Sequence, residues 1–86
     1  MANNKVNIVK GILARRNDAA IMRERQQELT AMVEANGADI VALATGLKES
    51  TIGQYVRDRN ARISLTAIDQ ARYVFNHPQY VAAQQK

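Results

Sequence analysis

Apolar residues recur at helical spacing near the start of the chain. Val6, Val9, Ile12 and Leu13 share one face of a predicted helix over about residues 6–13. Gly11 weakens this helix by roughly 1 kcal/mol relative to alanine. Two roles fit the pattern. The helix packs or dimerises through its apolar face, or it acts as a basic arm that contacts phosphate.

A second helix is predicted after Asn17 or Asp18, since either side chain can cap its first turn. Its apolar stripe consists of Ile21, Met22, Leu29, Met32 and Val33. The opposite face carries Arg23, Glu24, Gln27, Glu28 and Glu34. Because these charges, with Arg25, are mixed in sign, they indicate a solvated face. Asn36 and Gly37 are expected to end the helix in a left-handed cap.

Two short helices are predicted next, at residues 39–45 and about 49–58, with Gly46 as the break between them. The first of them carries Ile40, Val41, Leu43 and Ala44. A polar turn at residues 59–62 follows the second.

Thr66 and Asp69 have the spacing of a capping box that opens a last helix. This helix points Ile68, Ala71, Val74 and Phe75 inward and ends at Asn76, His77 and Pro78. Residues 79–86 form a predicted frayed tail, in which Tyr80 and Val81 can pack on the body or across a dimer. The expected fold is therefore all-α, with four to five short helices in a single domain over residues 1–86.

Composition narrows the class of protein. With 86 residues, 47% hydrophobic and 23% charged, the chain matches one ordinary folded domain. It has no cysteine and one histidine, which leaves no disulfide framework and no zinc site. No apolar run approaches the ~20 residues of a membrane helix, and no signal peptide is recognisable. These features lead us to expect a soluble cytoplasmic protein without a cofactor, metal, membrane partner or small-molecule ligand.

The net charge of +4 favours a polyanionic partner, because neutralising phosphates releases condensed counterions. Most of this charge lies in a basic N-terminal segment, residues 1–17, through Lys5, Lys10, Arg15 and Arg16. The chain has no clustered carboxylates and no combination of nucleophile and base, so we expect no enzyme activity.

The most informative spacing lies at residues 38–58. Ala42 provides a small residue where two helices cross, and Gly46 follows four residues later, where a sharp turn needs a positive φ angle. Leu47 fills the angle between the helices, Ile52 anchors the second helix, and Tyr55 continues its buried side. This pattern resembles the helix-turn-helix of phage Cro and lambda-repressor-like proteins.

The resemblance implies that the second helix of this pair enters the major groove of DNA. The family's base-reading positions fall on Glu49, Ser50, Thr51 and Gln54. Glutamine can pair with adenine through a donor and an acceptor, hydroxyls serve either kind of base edge, and a glutamate can accept from cytosine N4.

Basic residues bracket these positions along the chain. Lys48, Arg57, Arg59 and Arg62 are the candidate phosphate ligands, which would set register without reading sequence. The sequence departs from the family pattern at the first helix of the pair. Ala38 and Asp39 stand where the family usually has a polar residue, often glutamine, that touches phosphate. Asp39 is therefore expected to cap its own helix.

These residues predict a sequence-specific transcriptional regulator, a repressor rather than an activator, of phage or mobile-element origin by analogy. One motif covers about one half-site, so a homodimer is expected on a pseudo-palindromic operator with half-site centres roughly 34–36 Å apart. The alternative is a small helical protein-interaction module, of antitoxin-like or anti-activator type, that does not read DNA sequence. An RNA-binding role fits less well because single-strand readers stack bases on exposed aromatic residues.

Overall fold

The computed structural model describes residues 3–16 and 18–84, and it is all-helical over them. Its helices are α1 (Asn3–Arg16), α2 (Ala19–Asn36), α3 (Ala38–Thr45), α4 (Glu49–Arg57), α5 (Leu65–Phe75) and α6 (Pro78–Gln84). The all-α expectation is confirmed. The described residues form six helices, whereas four to five were predicted. The candidate cap Asn17, the tail residues Gln85 and Lys86, and the side chains of Arg15 and Arg16 lie outside the described part of the chain.

Helix α2 begins as its sequence predicts and ends differently. The Asp18 side chain accepts a hydrogen bond of 3.0 Å from the Ile21 N–H, which caps the first turn. At the other end Gly37 has φ 90° and ψ 149°, so the expected left-handed cap is wrong. The positive φ is present, but the extended ψ directs the chain straight into α3.

Asp39 was expected to cap α3, but Gly37 occupies the N-cap position. Helix α3 begins at Ala38 with Gly37 as its N-cap, and Asp39 lies inside the first turn. A Cβ atom at residue 37 would stand 2.9 Å from Asp39 Oδ1, in a φ region that side chains rarely adopt. The sharp junction of α2 and α3 therefore needs glycine.

The core forms where α2, α3, α4 and α5 meet. Its fully enclosed side chains are Leu29, Val41, Ile52, Ile63 and Ile68. Met22 and Ala71 are buried as predicted, whereas Leu43 on α3 remains 79% exposed. Leu43 is not part of the core, and α3 is buried instead through Val41, Ala44 and Thr45.

Arg25 is the main correction within α2. Its position among mixed charges indicated a solvated face, but only 6% of its surface is exposed. Its Nη1 donates a hydrogen bond of 2.8 Å to the Ile63 carbonyl oxygen. A buried charge needs such partners, and here the bond ties α2 to the segment before α5.

The connection between α4 and α5 is less polar than predicted. Ala61 is 7% exposed and Ile63 1% exposed, so these two side chains point inward on either side of Arg62. The predicted capping box of Thr66 and Asp69 is wrong. Ser64 is the N-cap of α5, and its hydroxyl accepts a hydrogen bond of 3.1 Å from the Ala67 N–H.

The predicted frayed tail at residues 79–86 is wrong over residues 79–84, because Pro78–Gln84 forms α6. Proline suits the first position of a helix, where its missing N–H is not needed. The Tyr80 hydroxyl donates to Asn36 Oδ1 at 2.6 Å, and its ring packs edge-on against Phe75 with centroids 5.2 Å apart. Tyr80 thus holds α6 against the ends of α2 and α5.

Helix α1 is longer than predicted and packs little on the rest of the chain. Its large apolar side chains are 48–62% exposed: Val6, Ile8, Val9, Ile12 and Leu13. The apolar side of α1 is therefore largely uncovered, although Leu13 lines a groove together with Met22 and Arg25 of α2. The described residues extend over 59 × 29 × 18 Å. Within residues 3–16 and 18–84, no helix combines the length and the apolar character required to span a bilayer.

Candidate nucleic-acid interface

The turn between α3 and α4 has the geometry that its residue types require. Gly46 adopts φ 75° and ψ 14°, the left-handed region in which glycine avoids a Cβ clash. Its N–H and that of Leu47 both donate to the Ala42 carbonyl oxygen, at 3.0 and 3.2 Å. Ala42 and Leu47 also pack against the core, so this turn is held by local hydrogen bonds and by burial.

Helix α4 is attached to the core on one side. Ile52 is fully enclosed, and Tyr55 and Val56 pack half-buried beside it. Gln26 of α2 secures the end of the helix, because its Nε2 donates to the carbonyl oxygens of Tyr55 and Asp58 at 2.7 and 2.6 Å. This role of Gln26 was not predicted from the sequence, since no local pattern shows that a glutamine will reach another helix.

The opposite side of α4 is polar and exposed. Successive residues turn by about 100° around a helix, which brings Ser50, Gly53, Gln54 and Arg57 to one side with Glu49 at its edge. Apart from Gly53, which is half-buried, all of these residues are exposed. We call them the polar face of α4.

Thr51 is separate from the other predicted base-reading residues. It is half-buried and lies near the boundary with the buried side of α4. Conversely, Arg57, which the sequence assigned to phosphate, lies on the polar face itself. Its Nη2 would be 3.9 Å from a Cβ atom placed on Gly53, so its guanidinium extends back along the helix.

The side chains of the polar face have no partners among residues 3–16 and 18–84. Among the residues that the structure describes, Glu49, Ser50, Gln54 and Arg57 make no side-chain hydrogen bond or ion pair, and neither does Lys48. Other polar side chains, among them Arg25, Gln26 and Thr45, do bond within the fold. The donors and acceptors of α4 are therefore available to a ligand.

The predicted phosphate ligands lie at both ends of α4. Lys48 immediately precedes the helix, and Arg57 is its last residue. Arg59 and Arg62 are exposed but belong to the connection after α4, where they line a groove with Arg23 of α2. The sequence pattern around Arg23 indicates a solvated face, and it does not show that Arg23 lies beside these arginines.

Comparison of the chain with protein-family models, with curated proteins and with solved structures gave no match. A function for this chain must therefore be inferred from its own residues.

Proposed function

We propose that this protein is a sequence-specific DNA-binding transcriptional regulator that presents the polar face of α4 to the major groove. The observation that carries the proposal is the set of exposed side chains on α4 that have no partner in the described chain. A surface that binds another protein is expected to offer aromatic or apolar anchors, and the polar face offers none.

The dimensions of α4 agree with this role. With its side chains, an α-helix such as α4 is about 10–12 Å across. The major groove of B-DNA is about 12 Å wide, and a phosphate backbone borders it on each side. A helix that lies in the groove is close to both backbones, so Lys48 and Arg57, at the two ends of α4, can pair with phosphates.

Base discrimination is assigned chiefly to Gln54. Its amide can donate and accept together, which matches the N6 and N7 atoms of adenine. Ser50 and Glu49 can contribute a hydroxyl and an acceptor one turn earlier. Thr51 would contribute less, since its side chain is half-buried at the edge of the face.

A second copy of the chain completes the proposed regulator, since one reading helix covers about one half-site. The sequence offered two dimer surfaces, the opening helix and the residues around Tyr80 and Val81. Tyr80 is engaged inside its own chain, whereas α1 leaves five large apolar side chains exposed. Apolar patches of this kind are typical of interaction sites, so we place the dimer contact at α1.

The decisive experiment selects binding sites from a random duplex pool and measures the affinity of the enriched sequence at several salt concentrations. We expect enrichment of a pseudo-palindrome with specific affinity well tighter than ~10⁻⁵ M near physiological salt. Gln54→Ala should relax preference at one or two base pairs, whereas Arg57→Ala should weaken all sequences alike. Equal, uniform losses for both variants would show that Gln54 reads no base.

The exposed apolar side of α1 also supports a second candidate, a module that binds another regulator. Sedimentation measures the oligomeric state of Val9→Ser and of the wild type, and this measurement distinguishes the two candidate functions. For the DNA-binding dimer, the variant should be monomeric and lose operator affinity while keeping the same base preference. A wild type that stays monomeric and enriches no sequence would favour the interaction module.

A further inference from the structure

An arginine-lined groove lies beside the end of α4, between the start of α2 and the connection to α5. Arg23, Arg59, Asn60 and Arg62 line its sides, and Met22 and Ala61 lie beneath them. Met22 and Ala61 are 8% and 7% exposed, so the bottom of the groove belongs to the packed interior. We call these residues the arginine groove.

The backbone around the groove is held by specific bonds. Asp58 Oδ1 accepts a hydrogen bond of 2.9 Å from the Asn60 N–H, and this bond shapes the turn that carries Arg59. Burial of Ala61 and Ile63 on either side of Arg62 directs Arg62 outward. The bond from Arg25 to the Ile63 carbonyl oxygen anchors the same segment on α2.

The groove has an excess of positive charge that the described part of the chain does not neutralise. Arg23, Arg59 and Arg62 are exposed, and none forms an ion pair or hydrogen bond with a residue that the structure describes. The nearest acids in sequence are Glu24 and Asp58, and neither pairs with a groove arginine. A planar guanidinium presents two parallel N–H donors, which suit the oxygens of a phosphate group.

The position of the groove relates it to the polar face of α4. Gln26 of α2 contacts the carbonyl oxygens of Tyr55 and Asp58 at the end of α4, and Arg23 lies one helical turn before Gln26. The arginines therefore lie just beyond the point where α4 ends at Arg57.

We propose that the arginine groove is a binding site for a DNA backbone phosphate, with Arg23 of α2 as a ligand together with Arg59 and Arg62. The site rests on the proposed DNA-binding function and adds α2 to the surface that meets DNA. It sets the register of α4 on the duplex by holding one strand beside the segment that α4 contacts. As a phosphate contact it carries no base preference of its own.

The test compares Arg23→Ala, Arg59→Ala and Arg62→Ala with Gln79→Glu, each of which lowers the net charge by one. Gln79 is exposed on α6, which packs at the far end of α2, near Asn36. The measurement is fluorescence anisotropy on the selected duplex and on an unrelated duplex between 50 and 200 mM salt. Circular dichroism melts would verify that each variant is folded.

Each groove variant should weaken both duplexes alike and reduce the slope of log affinity against log salt, by at most about 0.9, the value for one phosphate. Over this range of salt, the wild type should then lose more affinity than Arg23→Ala, by a factor of at most about 3.5. Arg23→Lys should retain much of the slope because it keeps the charge. Gln79→Glu should leave the slope unchanged.

If Arg23→Ala loses no more duplex affinity than Gln79→Glu does, the groove is not a phosphate site. Base reading by α4 would not be affected by that result. If the wild type prefers no sequence and the groove variants still lower duplex affinity and slope, the groove stands and sequence reading fails. Inorganic phosphate gives an independent measurement in the absence of DNA. It should shift the Nε–Hε NMR signals of the three arginines, and unchanged signals would contradict the site.

Discussion

Gly53 is the one position on the polar face of α4 that lacks a side chain. Its neighbours on that face are polar and exposed, and the space above it contains only the Arg57 guanidinium, 3.9 Å from where a Cβ atom would stand. Nothing in the fold requires glycine here, since its φ is not positive. On the proposed function, the missing side chain lets the α4 backbone approach the base edges.

Gly53→Ala should therefore change stability and DNA binding in opposite directions. The free energy of unfolding should rise by up to about 1 kcal/mol, since alanine favours the helix. Affinity for the selected duplex should fall because a methyl group would keep α4 away from the bases. Urea unfolding and anisotropy measure the two effects, with Gly11→Ala on α1 as the matched control. Unchanged affinity would mean that α4 does not approach DNA closely at Gly53.

Arg23 and Arg25 show that the type of a residue does not determine whether its side chain is buried. Both lie in the same run of mixed charges on α2, yet Arg23 is exposed and Arg25 is 6% exposed. They point in different directions around the helix, about 200° apart at about 100° per residue. The carbonyl oxygen of Ile63, which lies beside α2, accepts a hydrogen bond from Arg25 and so helps to make its burial tolerable.

At the scale of the element, helix ends depend on single side chains. The spacing of Thr66 and Asp69 favoured a capping box, but Ser64 caps α5 two residues earlier. Serine and threonine are both suitable N-cap residues, so local preference does not choose between Ser64 and Thr66. Burial of Ile63 and Ala67 selects Ser64, since it sets where the chain enters the core.

Ser64→Ala should lower the free energy of unfolding by about 1 kcal/mol, because the Ala67 N–H loses its acceptor. Thr66→Ala should change it by less than about 0.5 kcal/mol, since Thr66 is an exposed residue inside the helix. Urea unfolding of the two variants measures the difference. If Thr66→Ala lowers the free energy of unfolding by more than Ser64→Ala does, Thr66 and not Ser64 caps α5.

At the scale of the whole molecule, a bidentate ion pair joins α2 to α5. Arg72 donates from Nε and Nη2 to the two carboxylate oxygens of Glu28, each at 2.7 Å. These hydrogen bonds lower the pKa of Glu28 below its ordinary value of 4.5, and partial burial opposes the shift. Because the folded pKa is depressed, the pair stabilises the fold above pH 4.5 and ceases to do so as pH falls through the folded value.

Glu28→Gln should therefore be less stable than the wild type at neutral pH, and the difference should shrink at pH values below 4.5. Thermal melts from pH 7 to pH 3 measure this trend, and higher salt should reduce the difference since the pair is partly exposed. Glu34→Gln, at an exposed position on the same helix, is the control. If the difference in thermal stability between Glu28→Gln and the wild type is constant from pH 7 to pH 3, the pair of Glu28 and Arg72 is not the source of the pH dependence.

The sequence by itself determined the features that depend on neighbouring residues. Gly46 at a positive φ, Ala42 and Leu47 at the turn, Ile52 in the core and Asp18 as a cap are all specified within a few positions, because steric limits and helix spacing act locally. The same spacing placed Ser50 and Gln54 together on the exposed side of α4.

Only the tertiary structure decided which polar groups meet across helices. It joined Arg25 to Ile63, Gln26 to the end of α4 and Tyr80 to Asn36, and it brought Arg23 beside Arg59 and Arg62. It also left the apolar side of α1 uncovered. The physical reason is that a long side chain reaches several directions in an isolated helix, and only packing determines which carbonyl, carboxylate or core surface it meets.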